Sequence, residues 1–313
     1  MNQNTMIEND ILLVIEDIIN KVESEFIPTD KIESLKQRSS NSGQRTIEWK
    51  NERNNFITGS VVSHALGLMG QSARKNLLIE KASNGTIQSF FGCQSTHFGN
   101  IYEVITKYIY EKTYDTKINE FNQIKHDKIE FLAASTDGVT DELINIEIKA
   151  LFSRNIKVGK VKKEYYHQTQ LQMECLNINL THFIESKYSS IIDSDTDIDL
   201  KSLNRNGITH GIIIEVYNII NKSLEYIYIY DNSYNIINDE IKNNNDLIFI
   251  RDIYWKLEEF YVQEIKRDKN WLTDNLSTLS TFWEEVKYYR NNPDAFDSIK
   301  TKKTIITDNI CLL

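Results

Sequence analysis

Apolar residues recur along the chain with two different periods, which predict helices and strands in alternation. A three- and four-residue spacing predicts amphipathic helices. These helices cover residues 7–26 (ending near Pro28), 99–112, 254–265 and 276–286. Short apolar or alternating runs bounded by turn residues predict strands. These strands cover residues 131–135, 143–151, 181–186, 211–217 and 224–230, the last two forming a hairpin. The pattern predicts an α/β fold with a central mixed sheet flanked by helices and with helical N- and C-terminal extensions.

Three polar stretches interrupt this pattern. Residues 36–46 predict a linker, residues 189–206 a polar insertion, and the Asn-rich residues 231–245 a loop. We expect a helical extension with its linker, then one large domain, then a tail. The boundaries of these three parts are residues 1–40, 41–290 and 291–313.

The candidate chemistry lies where two strands meet. Asp137 follows the apolar run 131–135, and Glu147 and Lys149 lie in the strand 143–151. We expect these two strands to form a hairpin or to be neighbours. Glu147 and Lys149 then share one face, because side chains alternate along a strand, and Asp137 can close onto Glu147. The plain alternative is a surface hairpin on which the charges are solvated.

Two acids beside a lysine suit metal-dependent phosphate chemistry. Mg²⁺ prefers oxygen ligands, so Asp137, Glu147 and the carbonyl of Ile148 would supply part of an octahedral site. A bound metal ion lowers the pKa of its water and neutralises charge on a phosphate, while Lys149 would orient the attacking water. Mn²⁺ should be able to replace Mg²⁺.

Sequence blocks in a fixed order carry a family resemblance. The blocks are residues 44–53, 57–60, 98–103, 135–138 with 147–149, and 165–173. In this order they resemble the lambda-exonuclease-like, YqaJ-type viral recombinase family of PD-(D/E)XK nucleases. Residues 175–187 are similar to the version of the domain found in large DNA viruses of eukaryotes. The resemblance covers about half of the chain and implies a restriction-endonuclease-like fold that acts on double-stranded DNA ends.

The resemblance also implies catalytic roles outside the strand pair. Glu103, on the helix predicted over 99–112, would complete the metal site; the alternative is a charge on the helix surface. Gln168 matches the active-site glutamine of the family. Gln172 shares its helix face, because residues four apart are neighbours on a helix, whereas Gln170 is a bystander.

A phosphate pocket is the second implied site. An arginine fork, hydroxyl groups and a helix beginning near Val61 would together bind an anion. In the family such a pocket holds the terminal 5′-phosphate of DNA, and the matching residues here are Arg53, Ser60, Ser135 and Gln168. The alternatives are that Ser60 is only a helix N-cap and that Arg53 only pairs with a nearby acid.

Two positions depart from the family pattern. Thr136 stands where the family has a proline before the aspartate, and residues 150–152 lack the proline that usually follows the lysine. Neither change removes a ligand. Proline rigidifies a turn, so the departure at Thr136 bears on the precision of the turn rather than on metal binding.

The charge is unevenly distributed. The net charge is −9, and most of the excess acid lies in residues 1–34. The interval 154–163 contains Arg154, Lys157, Lys160, Lys162 and Lys163 but no acid. Such a run is ordinarily a solvated loop. Because it lies beside the carboxylates, the alternative is that it contacts the phosphate backbone of DNA, and such binding would weaken with added salt.

The three cysteines, Cys93, Cys175 and Cys311, are widely spaced and include no Cys-x-x-Cys pair. They predict a reducing, intracellular compartment and no zinc site, with the host cytoplasm or nucleus as the location of a viral protein. No apolar stretch approaches the length of a membrane span, and the N-terminus lacks the form of a signal peptide.

The expected function is a Mg²⁺-dependent exonuclease that digests double-stranded DNA from the 5′ end. Its products are 5′-mononucleotides and 3′ overhangs for recombination or repair. The resemblance implies the strand polarity and the processivity of digestion. It also implies a single-strand annealing protein as partner and a ring-shaped homotrimer. Two alternatives remain open: a structure- or sequence-specific endonuclease of the same fold, and a catalytically dead nucleic-acid-binding protein.

Overall fold

The computed structural model describes residues 28–41, 43, 46–87, 93–190 and 208–300. The helix expected over 7–26, most of the polar insertion and the tail beyond residue 300 therefore lie outside the described residues. The helices are α1 (Pro28–Arg38), α2 (Ile47–Arg53), α3 (Val62–Ala65), α4 (Gln71–Ala82), α5 (Gln94–Tyr114), α6 (Lys163–Leu176), α7 (Tyr234–Asn243), α8 (Trp271–Asn291) and α9 (Pro293–Ile299). A short 3-10 helix, Gly59–Val61, precedes α3.

The strands form two sheets. They are β1 (Ile57–Thr58), β2 (Ile118–Asn119), β3 (Ile124–Lys125), β4 (Leu132–Ala134), β5 (Gly138–Thr140), β6 (Asn145–Leu151), β7 (Leu180–Ser190), β8 (His210–Asn218), β9 (Ser223–Ile229) and β10 (Leu247–Lys266). The larger sheet has seven strands in the order β2-β5-β6-β7-β10-β8-β9, and the smaller has the order β1-β4-β3. In the larger sheet β6 and β7 are parallel and the other pairs antiparallel, so the sheet is mixed.

Helices cover both faces of the larger sheet. Phe183 and Ile184 are successive residues of β7, so their side chains point to opposite faces. Phe183 packs with Met173 of α6, whereas Ile184 packs with Tyr110 of α5. Since α6 connects the parallel strands β6 and β7, it is the crossover helix of a β-α-β unit. This architecture confirms the predicted α/β fold.

A further core joins the smaller sheet to the C-terminal helix. Its buried members include Ile57 of β1, Leu132 of β4, Leu171 of α6 and Phe282 and Trp283 of α8. The helix predicted over 276–286 is thus confirmed within α8, which packs with the smaller sheet and α6 in one core. At the other end of the described chain, Ile32 and Leu35 of α1 are buried with Ile124 and Leu176, so α1 extends to Arg38 where a linker was expected.

The hairpin expected over 211–230 is confirmed by the antiparallel pair β8 and β9. Tyr226, Tyr228 and Tyr230 pack against the core around Trp255 and Ile105. They form a sheet face, as predicted. Trp255, Trp271 and Trp283 are buried, which confirms them as packing residues.

Two secondary-structure predictions were wrong. Residues 254–265 belong to the long strand β10, which pairs with β7 and β8, and are not helical. Residues 234–243 form helix α7 instead of a loop, because Tyr234, Ile237 and Ile241 pack on β8 and β10. Local polarity in the Asn-rich stretch concealed an apolar stripe at helical spacing.

The strand pairing around the acids also differs from the expectation. The run 132–134 is β4, which lies in the smaller sheet between β1 and β3. The two neighbours of β6 are β7 and β5, a three-residue strand that begins directly after Asp137. The chain therefore changes sheets at residues 135–137. Among the described residues no helix is both long and apolar enough to cross a membrane.

Candidate active site

One cavity, of roughly 620 Å³, contains every residue that the sequence analysis assigned to a site. These residues are Arg53, Ser60, Glu103, Ser135, Asp137, Glu147, Ile148, Lys149 and Gln168. They come from α2, the 3-10 helix, α5, the turn between the two sheets, β6 and α6. The structure therefore brings together segments more than 100 residues apart.

Asp137 is fixed by the strand that carries the other acid. Its backbone N–H donates to the carbonyl of Ile146, and its Oδ2 accepts a hydrogen bond of 2.7 Å from the N–H of Ile148. The turn continues into Gly138, whose φ of +153° and close approach to Ile118 leave no room for a side chain: an added Cβ would lie 2.2 Å from Ile118 Cγ2. Asp137 is consequently held at one defined place beside β6.

Glu147 is almost fully buried, and both of its carboxylate oxygens accept hydrogen bonds. Oε1 accepts from Lys149 Nζ and, at 2.7 Å, from Gln168 Nε2. Oε2 accepts from Gln172 Nε2 at 2.6 Å. Gln168 and Gln172 thus share a helix face, as predicted. The prediction of a solvated surface hairpin is incompatible with this burial.

Mutual repulsion and burial shape the electrostatics of the cavity. Burial raises the pKa of Asp137 well above its ordinary value, and Glu147 and Glu103 add to the rise. Burial lowers the pKa of Lys149, but Glu147 and Asp137 outweigh it and bring that pKa to about 12. Lys149 is therefore a cation at neutral pH that lies among the acids of the cavity.

The donor set fits a hard divalent cation. Asp137, Glu147 and Glu103 offer carboxylate oxygens. The carbonyl of Ile148 lies on the same strand edge as its N–H, which points at Asp137, since a strand residue directs both groups to one side. In the part of the chain that the structure describes, however, no three His, Cys, Asp or Glu side chains already converge as a ligand group. Glu103 instead forms an ion pair of 3.0 Å with Lys107.

The phosphate-pocket side is built around Arg53. Its Nη2 lies 2.6 Å from Ser60 Oγ and 3.0 Å from Thr58 Oγ1, and its guanidinium stacks 4.3 Å from the ring centre of Trp49. Burial lowers the pKa of Arg53 to about 10, which leaves it charged at neutral pH. Ser135 Oγ is a buried polar atom that has no hydrogen-bond partner among the described residues. Such an atom fits a ligand oxygen.

The helix expected to begin near Val61 is reduced to the 3-10 turn and the four residues of α3. Ser60 lies inside the 3-10 turn and accepts from Arg53, so the N-cap interpretation of Ser60 was wrong. A helix dipole does not add to this pocket. Its positive charge comes from Arg53.

The basic run begins at the cavity mouth. Arg154 lines the cavity and forms an ion pair with buried Glu185, whereas Lys157 and Lys160 are exposed on the loop that follows β6. Lys162 forms a 3.4 Å pair with Glu164. The run thus combines one anchored arginine with solvated lysines.

Tyr165 and Gln172 are among the residues of the site that the sequence analysis did not assign. Tyr165 lines the cavity, and the cations of Lys149 and Lys162 lie 4.9 and 5.3 Å from its ring centre. Gln172 bonds directly to Glu147. Their place in block 165–173, beside Gln168 at helical spacing, was the signal available in the sequence.

The chain is similar to known proteins in sequence and in fold. Residues 48–179 match the family of the YqaJ-like viral recombinase domain. An uncharacterized protein of Acanthamoeba polyphaga mimivirus is 25% identical over 312 residues, which include 85% of this chain and 56% of that protein. The chain therefore spans about half the length of this curated relative.

Solved structures share the fold. The alkaline exonuclease LHK-Exo from Laribacter hongkongensis superposes with a TM-score of 0.52 at 19% identity, over 81% of this chain and 98% of that one. The complex of LHK-Exo with dAMP gives the same TM-score at 18% identity with the same coverage. At this identity the likeness establishes the fold alone.

Proposed function

Because residues 48–179 match the family of the YqaJ-like viral recombinase domain, we propose that the chain is a metal-dependent exonuclease that digests double-stranded DNA from the 5′ end. The products would be 5′-mononucleotides and a 3′ overhang that serves recombination or repair. The observation that carries the proposal is that one cavity contains three acids, the buried Glu147 with the half-buried Asp137 and Glu103, beside Arg53 and the hydroxyl groups of Ser60 and Ser135.

In this proposal Asp137, Glu147, Glu103 and the carbonyl of Ile148 hold Mg²⁺ or Mn²⁺. The bound ion would supply charge neutralisation at the phosphate and acidify water. The raised pKa of Asp137 supports this assignment, since crowded buried carboxylates gain stability from a cation.

Lys149 positions the attacking water in this proposal. Its high pKa makes it a donor and not a general base at neutral pH. Its ammonium group is held by Glu147 Oε1 and lies 3.5 Å from Gln168 Oε1. Through these two contacts Lys149 connects the acid site with Gln168 of the proposed phosphate pocket. The attacking water, the phosphate and the metal ion would therefore meet at one place.

The terminal 5′-phosphate would occupy the space between Arg53, Ser60, Ser135 and Gln168. Among the described residues, both hydrogen bonds of Arg53 are made by Nη2. Nη1 and Nε therefore remain as donors for the phosphate dianion. Charge-assisted bonds from a guanidinium are stronger than neutral ones. The unpartnered hydroxyl of Ser135 would gain an acceptor.

Further parts of the proposal rest on the family resemblance. We propose the division into residues 1–40, 41–290 and 291–313, a ring-shaped homotrimer, and a single-strand annealing protein that receives the overhang. The N-terminal acid excess would keep DNA away from that extension and on the basic side of the cavity.

Digestion of linear duplex DNA labelled at either end tests the proposal. With Mg²⁺ or Mn²⁺, the 5′ label should appear first as a mononucleotide, while the 3′ label stays in a long strand; without metal neither should change. Covalently closed circular duplex is the control and should stay intact. Cutting of the circle would favour the endonuclease, and inactivity on all substrates would favour the binding protein.

A further inference from the structure

A buried chain of hydrogen bonds connects the turn that holds Asp137 to the carboxylate of Glu147. Thr136, Asn145 and Gln172 are each at most 2% exposed. Thr136 Oγ1 lies 2.5 Å from Asn145 Oδ1, Asn145 Nδ2 donates to Gln172 Oε1 at 3.1 Å, and Gln172 Nε2 donates to Glu147 Oε2 at 2.6 Å.

The directions of the bonds made by the two amide groups are determined. Gln172 Nε2 also donates to the carbonyl of Ser135 at 3.0 Å. A carbonyl and a carboxylate can only accept, so the amide nitrogen of Gln172 must face Ser135 and Glu147. Its oxygen then faces Asn145, whose own amide nitrogen must donate.

The same logic fixes the threonine. With Nδ2 of Asn145 directed at Gln172 and at Thr181 Oγ1, its Oδ1 faces Thr136 and needs a donor. Three oxygens lie within reach of the single proton of the Thr136 hydroxyl: Asn145 Oδ1 at 2.5 Å, the Gly138 carbonyl at 2.9 Å and the Ile146 carbonyl at 3.0 Å. Asn145 Oδ1 is the nearest, so we assign the proton to it, and the hydroxyl accepts in turn from the N–H of Gly138 at 3.2 Å. A proline at position 136 has no group that can end the chain of bonds in this way.

We propose that Thr136, Asn145 and Gln172 form a positioning relay that sets the orientation of the Glu147 carboxylate relative to Asp137. The inference rests on the proposed function, in which both acids hold the metal ion. In this chain the relay replaces the rigidity that proline gives the turn in the resembling family. Buried hydrogen-bond networks of this kind define a single geometry when every member is satisfied.

The test uses the full-length protein and two paired sets of variants. Thr136→Val and Gln172→Met remove relay groups at nearly constant volume. Thr169→Val and Gln170→Met are the matched controls, because both are fully buried on α6 and bond elsewhere, to the Tyr166 carbonyl and to residues 266 and 268. Thr136→Ser keeps the hydroxyl and is the conservative rescue.

The first readout is the affinity for Mn²⁺ without DNA, measured by titration with paramagnetic resonance detection. The second is kcat against KM on 5′-phosphorylated duplex. Removing the hydrogen-bond partner of a metal ligand typically lowers metal affinity or activity 10- to 100-fold. We expect Thr136→Val and Gln172→Met to weaken Mn²⁺ binding by about tenfold or more and to lower kcat with little change in KM. Thr136→Ser and both controls should stay close to wild type.

The double variant Thr136→Val with Gln172→Met should lose no more than the worse single variant, because members of one relay act together. The relay would be overturned if the fold-losses of the two single variants multiplied in the double variant. It would also be overturned if the single variants behaved like the controls. If Thr136→Val does not fold, Gln172→Met against Gln170→Met decides the question. Wild type that binds Mn²⁺ but leaves DNA intact would refute the proposed exonuclease, and the Mn²⁺ titrations would still test the relay.

Discussion

The carboxylate of Asp137 accepts a 2.7 Å hydrogen bond from the backbone N–H of Ile148, the residue between Glu147 and Lys149. This bond attaches the turn between the two sheets to the strand that carries the rest of the acid site. It also places a second carboxylate near Glu147 in a buried environment, which raises the pKa of Asp137. The geometry leads to four predictions outside the relay.

Replacing either buried acid should abolish cleavage. Asp137→Asn and Glu147→Gln keep shape but remove a charged ligand, so we expect at least roughly a thousandfold loss of turnover with folding retained. Lys149→Ala should be similarly severe. Initial rates in Mg²⁺ and circular dichroism measure the two effects, with the exposed Glu264→Gln as the control. Wild-type turnover in either carboxylate variant would remove the acids from the mechanism.

The phosphate pocket should determine which DNA ends are used. Arg53→Ala should slow digestion of 5′-phosphorylated ends far more than that of 5′-hydroxyl ends, because a charge-assisted bond contributes about 1.5 to 3 kcal/mol, or one to two decades in rate. Initial rates on both end types measure this preference. Lys50→Ala, an exposed change on the same helix, is the control. An unchanged preference in Arg53→Ala would favour the endonuclease.

Lys81 gives the free energy of unfolding a specific pH dependence. Its buried ammonium donates to the Arg53 carbonyl at 2.5 Å, and burial, with a smaller contribution from Arg53, lowers its pKa to about 7. Between pH 7 and 10.5 the unfolded chain binds more protons at this group than the folded chain, so the contribution of Lys81 to stability rises with pH across that window.

Denaturant unfolding of wild type and Lys81→Met at several pH values measures this effect. The stability of wild type relative to the variant should increase from pH 7 upward, by at most about 1.4 kcal/mol per pH unit. Other titrating groups cancel in the difference. A difference that is flat over pH 7 to 10 would show that Lys81 keeps an ordinary pKa.

The exposed lysines after β6 should contribute to DNA affinity through salt-dependent contacts. Lys157→Ala and Lys160→Ala should each reduce the slope of log affinity against log salt concentration by roughly 1. Binding of duplex with Ca²⁺ in place of Mg²⁺ would measure the slopes. Lys242→Ala, on α7, is the matched control and should keep the wild-type slope. Equal slopes for all four proteins would exclude this loop from the DNA path.

The sequence by itself determined the identity of the chemical groups and most local elements. The nine residues that the sequence analysis assigned to the site all lie among those that line the cavity, and alternation identified the pair β8 and β9. These predictions succeeded because side-chain type and period depend only on neighbours in the chain.

Only the tertiary structure decided which elements pair. In β10 a register shift between Leu257 and Glu259 moves the alternation by one residue, so that Trp255, Leu257 and Phe260 pack in one core. The residues whose spacing imitates a helix, Tyr254, Leu257 and Ile265, pack in three different cores. Pairing with β7 and β8 makes the segment a strand. The partner of β6 and the relay from Thr136 to Gln172 are likewise contacts between distant segments. Local periodicity records which residues are apolar but not which segment covers them, since that depends on the packing of the whole chain.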